Sequence, residues 1–208
     1  MNFKEIFSKN LPHIIVLGLF VIITVAYFSP EYDGYSLKQH DVEQFAGMSQ
    51  ETKMFREQFD SEPMWTNSMF GGMPTVQISL LYNGNIFQKS IIGFLGTVGV
   101  PSGIFLMHLL GFYILCLCLR IKPIIGFIGA LAFAFATYEI VIIQAGHNSK
   151  AFTVALMAPV LGAFLMTFRR NWKIGALLSA IFMTYEIASN HLQVTYYLAF
   201  LLLGLGIY

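Results

Sequence analysis

Apolar residues fill most of the chain in long blocks, and one broad polar segment, Pro30 to Lys89, separates the first block from the rest. A bilayer core about 30 Å thick takes roughly 20 mostly apolar residues as one helix. Six blocks approach that length: Leu11 to Ser29, Ser102 to Leu119, Pro123 to Ile143, Ala151 to Phe168, Ile174 to Ile187, and a last one from Leu192 to Tyr208. Ile91 to Val100 is too short to cross and is set off by Pro101, so it reads as an interfacial or re-entrant piece. The pattern predicts an all-α polytopic membrane protein with about six transmembrane helices. Residues 1-29 form the N-terminus and first span, 30-101 a cap outside the membrane that includes the interfacial piece, and 102-208 the bundle of further spans. The last block has no polar flank, so the chain reads as the N-terminal part of a longer protein, truncated at its C-terminus.

Charge orients this arrangement. Lys4 and Lys9, Arg120 and Lys122, and Arg169, Arg170 and Lys173 occupy the N-terminus and two short turns, which the positive-inside tendency places in the cytoplasm. The N-terminus is then cytoplasmic, and Pro30 to Lys89, Gln144 to Lys150 and Ala188 to Gln193 lie outside. No small-x-small cleavage site follows the first block, and Pro30 stands where cleavage would fall, so that block is an uncleaved span. With 56% hydrophobic and 11% charged residues and a net charge of +1, the chain has no basic face for nucleic acid. Cys116 and Cys118, two apart on a helix, point to different sides and read as small packing residues.

Within the cap, Val42, Phe45, Met48, Phe55 and Phe59 recur at helical spacing among Glu43, Gln44, Glu51, Lys53, Arg56 and Glu57, predicting an amphipathic helix on the membrane surface or on the bundle. Trp65 to Pro74 combines aromatics with Gly71-Gly72 and a terminal proline, which predicts a tightly folded loop. A short repeat joins two hairpins: Thr137-Tyr138-Glu139-Ile140 recurs as Thr184-Tyr185-Glu186-Ile187, each copy expected to close an outward-going helix before an outer turn holding His and Asn.

Two roles fit Asp41. It precedes the amphipathic helix, where Asp41-x-x-Gln44 matches a capping box, and the same position would hold a carboxylate rigidly beside a reaction site. His40 reads as its surface neighbour. Glu139 and Glu186, at the ends of apolar helices, either reach interfacial water or line a polar cavity under the cap with Lys150 or the outer histidines. His147, Asn148 and Lys150 form the best anion site, since Lys150 is the one basic residue in the two short outer turns and a helix start follows; a lysine meeting lipid phosphates explains the same residue. Asn190, His191 and Gln193 form a second polar cluster, with turn capping as its other role. His40, Asp41, His147 and His191 lack the spacing of a metal site, and His108 reads as a packed or helix-bonded residue.

Leu37-Lys38-Gln39-His40-Asp41, the Trp65 to Pro74 loop, Ala145 to Ala151 and Asn190 to Tyr197 together resemble the N-terminal region of the bacterial YfhO-like membrane protein family. That family is similar to GT-C glycosyltransferases, enzymes of the cytoplasmic membrane that use polyprenyl-phosphate sugars on the extracytoplasmic side. The resemblance implies Asp41 as catalytic base and His147, Asn148 and Lys150 as donor-phosphate ligands. On this reading His40, Glu43, Trp65, Asn67, Glu139, Glu186, Asn190 and His191 are the candidates for a substrate cavity, and Trp65 and Tyr82 either stack on sugars or pack within the cap. The partners implied are a polyprenyl-phosphate sugar, an envelope glycan or polymer acceptor, and the bilayer. No cofactor is expected, although the sequence does not exclude a divalent metal. Many GT-C enzymes carry adjacent acids, whereas Val42 separates Asp41 from Glu43 here. A lipid or glycan transporter or flippase, or a non-catalytic envelope-assembly protein, are the rival classes.

Overall fold

The computed structural model describes residues 3–77 and 84–207. Helix α1 (Phe3–Tyr27) leads through a single turn, α2 (Ser29–Tyr32), into the cap, which holds α3 (His40–Met48), α4 (Gln50–Phe59) and a two-stranded antiparallel ribbon of β1 (Trp65–Thr66) and β2 (Met73–Pro74). The rest is helical: α5 (Ile86–Val98), α6 (Val100–Cys118), α7 (Pro123–Ala134), α8 (Thr137–Ala145), α9 (Asn148–Arg169), α10 (Trp172–Ala188) and α11 (Leu192–Ile207).

Among the described residues, three helices are long and apolar enough to cross a membrane: Phe7–Tyr27, α6 and α9. There are four if α7 and α8, bent by 48° across a short break, count as one span. Helices α10 and α11 stand where the fifth and sixth spans are predicted, but with 17 and 16 residues they are shorter. The interfacial piece is a regular helix, α5, begun by Asn85, whose side chain accepts from the backbone N–H groups of Phe87 and Gln88. It packs on α10, where the Phe87 ring meets Tyr185 edge-on at 5.0 Å.

The core is the α6/α9 pair. Their backbones meet at small residues, as helices do when side-chain volume would hold them apart. A Cβ added to Gly111 would lie 2.2 Å from the Ala155 carbonyl oxygen. That carbonyl has no helical donor, because the residue four positions on is Pro159, which lacks an N–H. Helix α1 docks on this pair through Phe20, fully buried against Tyr113 and Phe127, with His13 Nδ1 and the Tyr113 hydroxyl 2.7 Å apart. At one end, the Arg170 guanidinium donates to the Cys118 carbonyl at 2.7 Å, so the two basic turns sit side by side. Both cysteines are buried and free, as packing residues.

Two expectations for the cap change. The amphipathic helix is two helices, α3 and α4, divided at Ser49, whose hydroxyl donates to the Phe45 carbonyl at 2.7 Å. Asp41 is not a helix cap: α3 begins at His40 with Gln39 in the capping position, so Asp41 lies inside the first turn and no Asp41-x-x-Gln44 box forms. The tightly folded loop is present, and its organiser is Glu51. One carboxylate oxygen accepts from the Thr66 hydroxyl and from the backbone N–H groups of Asn67 and Ser68 at 2.9 and 3.0 Å. These donors hold the Glu51 carboxyl below its ordinary value, the Thr66 hydroxyl most of all and against a smaller upward push from burial.

Candidate functional site

The cap meets the bundle at Gln39. This side chain is buried, donates to the Ile143 carbonyl at 2.6 Å, and exchanges amide hydrogen bonds with Asn148 at 3.1 and 3.2 Å. The joint needs Gly146 on two counts. Its φ of +95° is left-handed, and an added Cβ would sit 2.9 Å from Gln39 Cβ. With the N-terminus of α3 pinned over the α8–α9 turn, Asp41 Oδ2 comes 2.8 Å from His147 Nδ1. Oδ2 is covered yet makes no aligned hydrogen bond, so the contact is an ion-pair approach in which the ring N–H does not point straight at the oxygen. The two predicted residues are thus brought together where the cap meets the bundle.

Around this pair the other candidates separate. Lys150 does not pair with Glu139; its ammonium sits over the Tyr138 ring, 5.6 Å from the centroid. His191 is close enough to feel Lys150 and His147. Burial first, and then those positive charges, push it below the ordinary histidine value. Its Nδ1 is buried without a partner. Asn190 donates to the Val76 carbonyl at 3.2 Å and so ties the α10–α11 turn to the cap. His40 is exposed, and Glu43 makes only an exposed 3.7 Å pair with Lys38. Trp65 and Asn67 belong to the ribbon, where the indole N–H donates to Asn67 at 3.2 Å. Tyr82 lies outside the described residues.

The two glutamates of the repeat are not equivalent. Glu186 is near the end of α10, as expected, and is fully buried; Oε2 accepts from the Thr195 hydroxyl at 2.9 Å, while Oε1 has no partner. Glu139 does not close a helix: the break at Ala136 makes it part of the first turn of α8. Its carboxylate turns into the bundle and meets His108 Nε2 at 2.8 Å. His108 Nδ1 faces the Ile104 carbonyl at 2.9 Å, and since a carbonyl only accepts, Nδ1 carries hydrogen. The Nε2 to Oε2 contact then holds one proton, on the carboxyl or on the imidazole. His108 is packed and helix-bonded as expected, but its partner Glu139 was not foreseen.

A cavity of about 500 Å³ opens under α4. Lys53 and Arg56 face it from α4, Asn148 and Ser149 from the start of α9, and Ile91 and Phe152 are among its apolar walls. A second cavity, about 390 Å³, is lined by Tyr27, Tyr35, Leu37 and Ile143 and has Glu31 as its acid. Glu31 also accepts from the Ser102 N–H at 3.2 Å and so caps α6. Among the described residues, no three His, Cys, Asp or Glu side chains gather as metal ligands would. Residues missed by the sequence reading are Gln39, Gly146 and Glu51, which build the joint and the cap, and Lys53. Gln39 carried a signal, as an amide directly before the acid in Leu37 to Asp41.

No family model matches the chain, and neither the curated proteins nor the solved structures contain a match.

Proposed function

We propose that the chain belongs to a membrane glycosyltransferase that moves a sugar from a polyprenyl-phosphate donor to an acceptor outside the cytoplasmic membrane. The observation that carries this reading is the Asp41–His147 contact at the joint of cap and bundle. A general base must stand where an acceptor hydroxyl can reach it, and the half-exposed Asp41, held beside His147 at the joint, does so. In the proposed step the acceptor oxygen attacks the anomeric carbon as Asp41 takes its proton. The bond from that carbon to the phosphate oxygen breaks with inversion, and the lipid phosphate leaves with the electron pair. Lys150, in the first turn of α9, supplies positive charge for the oxygen on which negative charge develops. The reading draws also on the resemblance to YfhO-like and GT-C proteins, and keeps the six-span, N-in topology that the apolar blocks and the basic residues predict.

The test is sugar transfer from a polyprenyl-phosphate donor in membranes carrying the protein. Asp41→Asn keeps the side chain's shape and removes the base, so transfer is expected to fall about a hundredfold or more. Full transfer by a folded Asp41→Asn protein would exclude Asp41 as base.

A second reading has its own observation. The His108–Glu139 pair is buried beside a broken helix, an arrangement that suits a proton-coupled transporter or flippase. It predicts substrate movement that depends on a proton gradient and stops in Glu139→Gln, with no sugar transferred.

A further inference from the structure

The cavity at the C-terminal end of α1 has aromatic walls and a single charge. Tyr27, Phe28 and Tyr35 line it together with Glu31, and no Lys, Arg or His lines it among the described residues. Packing fixes two of the rings. Tyr27 lies stacked on Phe105 at 5.6 Å and meets Phe28 edge-on at 5.1 Å, while Phe28 itself leans on Phe105 at 5.4 Å. Phe105 is fully buried, so this wall rests on the core. The turn after α2 then folds back, with the Tyr35 N–H donating to the Pro30 carbonyl at 2.9 Å and Gly34 at a left-handed φ of +89°. Tyr35 lines the cavity and is 72% exposed, so it stands at the open edge.

Glu31 is half-buried and held from two sides. One carboxylate oxygen accepts from the Ser102 N–H at 3.2 Å, and the other lies where any Cβ at Gly99 would collide with it. That second oxygen makes no hydrogen bond or ion pair among the described residues. An anion would be repelled here, and a neutral hydrocarbon would leave the carboxylate without a counter-charge. A metal ion needs several oxygen ligands, where the walls offer one carboxylate. A cation with a hydrocarbon surface satisfies both features, since the carboxylate supplies the charge and the rings supply their negative faces.

We infer that this cavity binds an organic ammonium, a quaternary or alkylated amine, with Glu31 as its counter-ion and Tyr27, Phe28 and Tyr35 as its aromatic walls. At about 390 Å³ it admits a trimethylammonium group with a short hydrocarbon body. A zwitterionic lipid head group is a poorer match, because its phosphate would find no cation in the walls. The inference does not use the transferase reading, since neither Asp41 nor His147 lines this cavity.

The experiment titrates the purified chain, in uncharged dodecyl maltoside micelles, with choline, with its uncharged isostere 3,3-dimethylbutanol, and with phosphocholine, each followed by NMR of the ligand. Choline is expected to bind, and the other two to bind at least about tenfold more weakly. Glu31→Gln keeps an acceptor for Ser102 and should weaken choline about tenfold. Tyr35→Ala, at the open edge and outside the core, should weaken it about threefold, and Tyr35→Phe should bind as the parent does, because the ring face and not the hydroxyl is used. Asp33→Asn removes an exposed acid that does not line the cavity and should leave binding unchanged. Absence of choline binding, or unchanged binding in Glu31→Gln, overturns the site. Equal binding of 3,3-dimethylbutanol overturns the ammonium and leaves a plain apolar pocket, and a loss in Asp33→Asn as large as in Glu31→Gln reduces the site to diffuse attraction. Phosphocholine bound as tightly as choline overturns the preference for a monocation and assigns the ammonium to a lipid head group.

Discussion

Among the described residues, two carboxylate–histidine pairs have the same 2.8 Å separation and opposite surroundings. In the bundle, His108 and Glu139 have side-chain exposures of 0% and 7%; at the cap joint, His147 and Asp41 have 56% and 35%. The first pair is closed. His108 spends Nδ1 on Ile104 and Nε2 on Glu139, and aromatic rings such as Phe133, 5.6 Å away, cover it. The second is open, because Asp41 and His147 come from a cap helix and a turn, and each keeps atoms at the surface. Distance alone therefore does not decide what such a pair can do. A pair sealed from water serves first to neutralise itself, whereas an open one has capacity left for a substrate proton.

The largest effect that follows is on stability. Removing one partner of a sealed pair strands the other without water or counter-charge, a loss of about 3 kcal/mol. Glu139→Ala is expected to lower the thermal midpoint in detergent accordingly. A double change of His108 and Glu139 to leucine should recover most of it, since both polar groups then vanish together. A Glu139→Ala protein as stable as the parent would mean that the pair is not sealed.

At the open pair the effects trade places. Asp41→Asn should cost sugar transfer about a hundredfold, while an ion pair this exposed contributes at most about 1 kcal/mol to stability. Measuring both quantities on both variants sharpens the contrast. If Asp41→Asn lowers stability as much as Glu139→Ala does, the cap joint is a structural pair like the other, and its catalytic reading loses its basis.

The helical character of the bundle was legible because long apolar blocks leave few other structures, although three or four of the six expected spans reach crossing length among the described residues. The break between α7 and α8 was not, since no glycine or proline lies between Ala134 and Thr137 to announce it. That break is why Glu139 faces His108 instead of the outer turn. For the site, Asp41 and His147 stood out as residue types, but their meeting depends on Gln39 reaching Asn148, 109 positions away. An amide leaves no periodic trace of its partner. Glu51 and Lys53 were hidden for another reason: on an amphipathic helix both read as solvated charges, and only the folded cap shows that one gathers three donors while the other faces a cavity.

Acid separates the cap from the bundle. Glu51 has its carboxyl lowered in the fold, so its contribution is fully present above the ordinary value of 4.5 and is lost as pH falls through the lowered folded value. Below that window the Thr66, Asn67 and Ser68 donors lose their acceptor and the ribbon should open while the helices stay folded. Hydrogen exchange at the Asn67 and Ser68 amides, followed from neutral pH down, checks this. Equal protection on both sides of the window would show that Glu51 does not hold the ribbon.

The smallest effect tests the charge around the open pair. His191 is pushed down by burial and by the positive charges of Lys150 and His147. A histidine lowered in the fold favours the neutral form. Stability is therefore complete above the ordinary value of 6.5 and declines as pH falls below it toward the folded value, where proton uptake by the two states becomes equal. Lys150→Gln removes one of the two charges and should raise the His191 titration, read from its ring resonances by NMR. The shift ties the second outer turn electrostatically to the first and so places His191 within the field of the Asp41–His147 pair. A His191 titration that ignores Lys150 would show that this lysine does not reach it, leaving burial and His147 as the causes.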